Sequence, residues 1–245
     1  MLRGSRCIVL TAAACAALLP AASAGAAQTA VFTPGAQMIA QPPGQPWTLK
    51  VLLDAQLGAD PGTTASPVRH MRISFPAGAG VNLGAFRTCS QSEVTAARCP
   101  ASAQIGSGSS SADLAGSPID ATVRVYNGPR TGGRQTAWIR VVALTTIVFV
   151  FKATITKTSG RYGYVMDLDI PPILTDMQPG GVPITRLTTT LGGYGRSHGR
   201  RVPLVTAPTR CSGGWQFQAA FTYADGSKVT RSSQISCTLM ATPVA

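Results

Sequence analysis

Acid and imidazole are scarce in this 245-residue chain. Asp and Glu together number nine, Glu93 being the one glutamate, and the histidines are two, His70 and His198. General acid–base catalysis draws on a histidine or a carboxyl of tuned pKa, so the material for a catalytic centre is thin. No Cys-x2–4-Cys pair is present to suggest a zinc clip, and no D-x-[DN]-x-[DN]-G loop to suggest a calcium hand. No basic segment is interleaved with aromatics, as a nucleic-acid surface requires. No apolar run reaches the roughly 20 residues of a membrane-spanning helix. Neither cofactor nor metal is expected.

What is present begins with an export signal. Arg3 and Arg6 precede an apolar run of 13 residues from Cys7 to Leu19, then Pro20 and the small-residue site Ala22-Ser23-Ala24. Charge, apolar run and A-x-A in that order predict a secretory signal peptide over 1–24, cleaved near 24–27. Cleavage removes Cys7 and Cys15 and leaves Cys89, Cys99, Cys211 and Cys237. An even number in an exported chain predicts two disulfides. Spacing ranks Cys89–Cys99 and Cys211–Cys237 first among the three pairings, since each closes one short local segment. Loss of Arg3 and Arg6 lowers the formal charge from +12 to +10, which favours attraction to anionic polymers or membranes.

Alternation with a period of two dominates the remainder. Trp47, Leu49, Val51, Leu53, Ala55 and Leu57 form one such series, and Met71, Ile73 and Phe75 another. Ile119–Val125, Tyr164–Ile170 and Trp215–Tyr223 repeat the pattern, and each run puts one face on a core and one toward water. The prediction is an all-β antiparallel sandwich, Ig-like or jelly-roll-like, or an open barrel, of eight to ten strands. Val141–Phe151 reads as a doubly covered central strand, and Asp225-Gly226 as a hairpin turn. Ser90 and Glu93 form a capping box for one short helical loop through Ala97, stapled by Cys89–Cys99. Ile105–Ser111 (IGSGSSS) reads as a flexible or bulged connection. The expected layout is a partly flexible segment 25–44, a single β domain 45–238 and a tail 239–245.

Several of these stretches, in this order, resemble a group of secreted actinobacterial proteins. They include Ile73-Ser74-Phe75-Pro76-Ala77-Gly78, Asn82, Ala85-Phe86, Cys89-Ser90, Cys99-Pro100 and Ile105-Gly106-Ser107-Gly108. Further on come Val125-Tyr126-Asn127-Gly128, Asp169-Ile170-Pro171, Ala207-Pro208, Cys211, Gly214-Trp215-Gln216-Phe217 and Tyr223-Ala224-Asp225-Gly226. The similarity runs over residues 45–237 and departs at Phe86-Arg87, where the group has proline after the aromatic. The group has no established activity, so the resemblance implies export and an all-β module and transfers no catalytic residue.

Three constellations remain as candidate sites. Gly195-Arg196-Ser197-His198-Gly199 satisfies G-x-S-x-G, the elbow of serine hydrolases, but no helical pattern and no later histidine follow it. Asp167 and Asp169 sit on one strand face and could form a carboxylate pair; alternation places them on the solvated side. Arg196, His198, Arg200 and Arg201 are the densest charge on the chain, and arginine suits bidentate contact with phosphate or carboxylate. The sequence therefore predicts a secreted or envelope-associated, disulfide-stabilised, non-enzymatic binding module. Its expected partners are anionic cell-wall or extracellular polymers, met through Arg196, His198, Arg200 and Arg201. The rival readings are an ester or glycan hydrolase using Ser197 or Asp167/Asp169, and a purely structural surface protein.

Overall fold

The computed structural model describes residues 27–39, 48–173, 175, 178–208 and 213–236. The signal segment, Trp47 and the expected Cys211–Cys237 pair lie outside the described residues. In chain order the strands are β1 (Gln28–Ile39), β2 (Thr48–Ala59), β3 (Val68–Pro76), β4 (Gly80–Val81) and β5 (Gln104–Leu114). They continue with β6 (Ser117–Asn127), β7 (Gln135–Ala143), β8 (Ile147–Lys157), β9 (Tyr162–Asp169) and β10 (Ile184–Leu191). The last are β11 (Tyr194–Ser197), β12 (Arg200–Pro203), β13 (Val205–Thr206), β14 (Trp215–Tyr223) and β15 (Lys228–Ile235). Among the described residues one α-helix, α1 (Gln91–Thr95), sits between β4 and β5.

The expected all-β antiparallel, sandwich-like architecture is borne out, with both layers cut from one sheet. Fifteen strands stand among the described residues in place of the expected eight to ten, because short edge strands and the hairpin inside Val141–Phe151 add to the count. Thirteen strands pair in the order β15-β14-β3-β9-β8-β7-β6-β5-β10-β2-β13-β4, with β1 on the free side of β2. β1 also lies against β15, so the sheet curls round until its ends meet. Side chains stitch this seam: Arg231 Nε donates to the Ala30 carbonyl at 2.8 Å and the Tyr223 hydroxyl to that of Thr29 at 3.2 Å. Gln28 Nε2 donates to Asp225 Oδ2 at 3.0 Å. The circuit from β1 round to β15 takes eleven strands. Eight already enclose an interior just wide enough for side chains, so eleven strands around a mostly filled core must press into two layers.

The core follows the alternation. Trp215, Phe217, Ala219, Phe221 and Tyr223 are all buried on β14, and Leu49, Val51, Leu53, Ala55 and Leu57 on β2. Against them pack Met71 and Ile73 of β3, Val123 and Val125 of β6, and Met166 and Leu168 of β9. A second, smaller core lies on the outer face of β6 and β7. There the cross-strand pair Tyr126 and Trp138 is covered by Cys89, Val94 and Ala103.

That outer core carries the expected stapled loop. Cys89 and Cys99 are bonded. Ser90 caps α1 with the reciprocal capping box: the Ser90 amide donates to Glu93 Oε2 at 2.8 Å and the Glu93 amide to Ser90 Oγ at 3.4 Å. Those bonds from Ser90 hold the Glu93 carboxyl below its ordinary pKa. Asn127, buried at the end of β6, clamps the segment from below, its Nδ2 donating to the carbonyls of Leu83 and Phe86 at 3.1 Å each.

Three local expectations differ from what is observed. Val141–Phe151 is not one strand but the hairpin of β7 and β8, turning at Leu144-Thr145-Thr146 with Leu144 and Thr145 at positive φ; β-branched residues on both arms mask that turn. Ile105–Ser111 is not a connection but the body of β5, between β6 and β10. Its glycines serve a close approach, since a Cβ on Gly108 would run into the Thr188 carbonyl. Gln28–Ile39, placed by sequence in a partly flexible segment, pairs with β2 along its whole length.

Candidate functional site

The interior opens at one end of the curled sheet, and the elements there are built by turn chemistry. Between β6 and β7, Thr131 and Arg134 exchange backbone hydrogen bonds at 3.0 and 3.1 Å around Gly132 and Gly133, both at positive φ. Two residues at positive φ make the tight turn that matches strand twist, and it displays Arg130 and Arg134 on a short stiff hairpin. Lys157 ends β8 directly across from Tyr164 of β9. The segment Val81–Phe86, held by Asn127, forms a further wall, and the β11–β12 hairpin closes the rim with Ser197 and Val202.

Together these elements bound a cleft of about 810 Å³. Among the described residues, Arg130, Arg134 and Lys157 line it and no carboxylate does. Among the described residues, none of the three takes part in an ion pair. Clustered charge of one sign in a concave, low-dielectric wall focuses the field and concentrates counter-ions. The arrangement can hold a phosphate or carboxylate.

Behind the cleft the sheet's interior is not filled solid. A near cavity of about 60 Å³ is walled by Leu49, Phe75, Leu83, Trp215 and other apolar side chains, and it shares Val81, Leu83, Ile155 and Tyr164 with the cleft. A far cavity of about 80 Å³ is walled by Phe32, Leu53, Ile73, Phe151, Leu168 and their neighbours. The two cavities share Met166 and Leu191, which form a waist between them.

The sequence-predicted binding residues do not act as one cluster. Arg196, His198, Arg200 and Arg201 are all exposed on the β11–β12 hairpin. Pairing puts Arg196 opposite Arg201 and Ser197 opposite Arg200, so the two pairs project to opposite faces. Arg201 stacks over the Tyr194 ring, 3.7 Å from its centroid. Arg200 shares the face of Ser197 and Val202, which border the cleft. The hairpin is seated by Gly195, where a Cβ would collide with the Ala85 carbonyl.

Ser197 lies in no nucleophile elbow. His198 and Gly199, at φ 49° and 77°, form the two-residue turn of this hairpin, where a hydrolase has a strand-to-helix turn. His70 belongs to the other end of the molecule. It faces Asp169 across β3 and β9, and five residues, about 17 Å of extended strand, separate Asp169 from Tyr164 on the cleft wall.

The aspartate pair is tied into charge partners on the outer face of the sheet. His70 Nε2 lies 3.4 Å from Asp167 and 3.9 Å from Asp169, and Arg72 lies 3.6 Å from Asp167. On β2, Asp54 accepts two hydrogen bonds from Arg186 of β10, at 2.8 and 3.1 Å, which hold its carboxyl below the usual pKa. Among the described residues no group of three His, Cys, Asp or Glu side chains is arranged to hold a metal ion, and no helix is long and apolar enough to cross a membrane.

Sequence reasoning missed Arg130, Arg134 and Lys157 because they are isolated along the chain. The available signal was Arg130-Thr131-Gly132-Gly133-Arg134, two arginines flanking a double-glycine turn. Comparison with protein-family models, curated proteins and solved structures finds no match to this chain.

Proposed function

We propose that the protein is an exported, non-catalytic binding module for phosphate- or carboxylate-bearing molecules of the cell envelope, and that the basic cleft is its binding site. The observation that carries this reading is the lining itself: Arg130, Arg134 and Lys157 converge on one concavity with no acid to neutralise them. Arg200, on the cleft side of its hairpin, adds to the same field; Arg196 and Arg201 face away. The Cys89–Cys99 bond supports export, since disulfides persist in oxidising compartments. The hydrolase alternative has less in its favour, because Ser197 sits in a hairpin turn and His70 lies at the far end.

Binding to a phosphate-bearing cell-wall polymer, followed at low and high salt, tests the proposal. Retention is expected at low ionic strength and to fall as salt screens the cleft. The triple variant Arg130→Ala, Arg134→Ala, Lys157→Ala is expected to abolish it, and Arg196→Ala with Arg201→Ala to leave most of it. The opposite pattern, or no retention by the wild-type protein, would overturn the assignment.

A further inference from the structure

We infer that the ligand of the basic cleft is an amphiphile, with an anionic head held by Arg130, Arg134 and Lys157 and a long alkyl or acyl chain running into the interior of the sheet. The inference rests on the cleft being an anion site and adds what lies behind it. Val81, Leu83, Ile155 and Tyr164 belong at once to the basic cleft and to the near apolar cavity. The floor of the anion site is therefore the roof of an oily chamber. No polar side chain of the interior needs to be displaced there, because the near cavity is bounded by apolar side chains apart from Tyr164 at its mouth and the Trp215 indole.

Beyond Met166 and Leu191, which line both cavities, lies the far one. Along β9 the wall residues run Tyr164 at the cleft, Met166 at the waist and Leu168 in the far cavity, with Ile170 just past the strand's end. Tyr164 to Ile170 is six residues, about 20 Å of strand, which is the reach of a long acyl chain. Along β8 the same sequence is Ile155, then Phe151 and Phe149. Cavities lined this way stay dry and take apolar guests, whereas voids in a well-packed core cost stability. Met166 at the constriction is unbranched and adaptable, suited to moving aside for a chain. Charge at the mouth and grease along the axis together select a molecule with both properties: inorganic phosphate uses the first alone, and a neutral alkane uses the second alone.

Four probes separate these terms by titration calorimetry on the disulfide-intact protein: inorganic phosphate, octyl phosphate, hexadecyl phosphate below its critical micelle concentration, and hexadecanol. Hexadecyl phosphate is expected to bind at least a hundredfold more tightly than inorganic phosphate and at least tenfold more tightly than octyl phosphate. Arg134→Ala with Lys157→Ala is expected to weaken hexadecyl phosphate about tenfold and leave hexadecanol unchanged. Met166→Trp, which fills the waist, is expected to remove the advantage of hexadecyl over octyl phosphate; if it does not fold, Leu191→Phe serves the same purpose. Equal affinity for all three phosphates would overturn the inference while leaving the anion site standing. Binding of a phosphate-bearing polymer but not of hexadecyl phosphate would do the same, and no binding of any anion would overturn both readings.

Discussion

The two ends of the curled sheet are made from the same strands and differ in nearly everything else. At the near end Arg130, Arg134 and Lys157 surround an open cleft, and the walls are turns held by the buried Asn127 and the Cys89–Cys99 loop. At the far end the strand ends and turns carry acids, among them Asp113, Asp169 and Asp225, each with a partner in the fold. Asp225 accepts from Gln28 and from the Ser227 amide, Asp113 accepts from the Gly116 amide, and Asp169 pairs with His70. Among the described residues the three cations face no acid, whereas these acids have partners of their own. The contrast teaches that the basic excess of this chain is not spread evenly, and that its position matters more than its size.

Breaking the near end should cost most. Cys89→Ser with Cys99→Ser opens a staple between residues ten apart and is expected to remove about 3 kcal/mol of stability, read from denaturant unfolding with and without reductant. Asn127→Ala removes the buried side-chain donor shared by the Leu83 and Phe86 carbonyls, leaving Leu83 only the Phe86 amide, and is expected to cost about 2 kcal/mol. It should also loosen the cleft wall, seen as faster hydrogen exchange at residues 82–88. Gly195→Ala forces the β11–β12 hairpin off Ala85 and is expected to weaken anion binding severalfold with little change in global unfolding.

At the far end the effects are smaller and depend on pH. Burial pushes the Tyr223 hydroxyl up to about 12, above the ordinary value of 10. A raised pKa in the folded state means that its contribution is complete below pH 10 and is lost as pH climbs from 10 toward 12. Tyr223→Phe should flatten that alkaline limb of the stability curve. Asp54 behaves with the opposite sign: its depressed pKa contributes above the unfolded carboxylate value and is lost as acid takes the pH down through the folded one. Arg186→Ala is expected to shift the acid limb slightly, the smallest effect of the set, because the Arg186 side chain is half exposed and solvent screens the pair.

Sequence legibility followed the same division. The alternation on β2, β3, β6, β9 and β14 was plain because one face of each strand meets a single core, and the capping box at Ser90 was plain because it is local. β5 hid behind its glycines and serines, whose purpose is close approach to β10, and β1 behind Pro34 and Gly35. The candidate site was largely illegible. Its cations come from one loop and one strand end, and only curling of the sheet brings them together. The density of arginine at 196–201 pointed to the right end of the molecule, but strand pairing sends Arg196 and Arg201 away from the cleft.

Amide chemical-shift mapping while hexadecyl phosphate is titrated into the isotopically labelled protein tests the account most directly. Perturbations are expected at residues 81–88, 130–135 and 155–157, at Ser197, Arg200 and Val202, and inward through Tyr164, Met166 and Leu168, all larger than at Arg196, Arg201, His70 and Asp169. Perturbations centred on Arg196 and Arg201, on the Asp167–His70 face, or nowhere would contradict it.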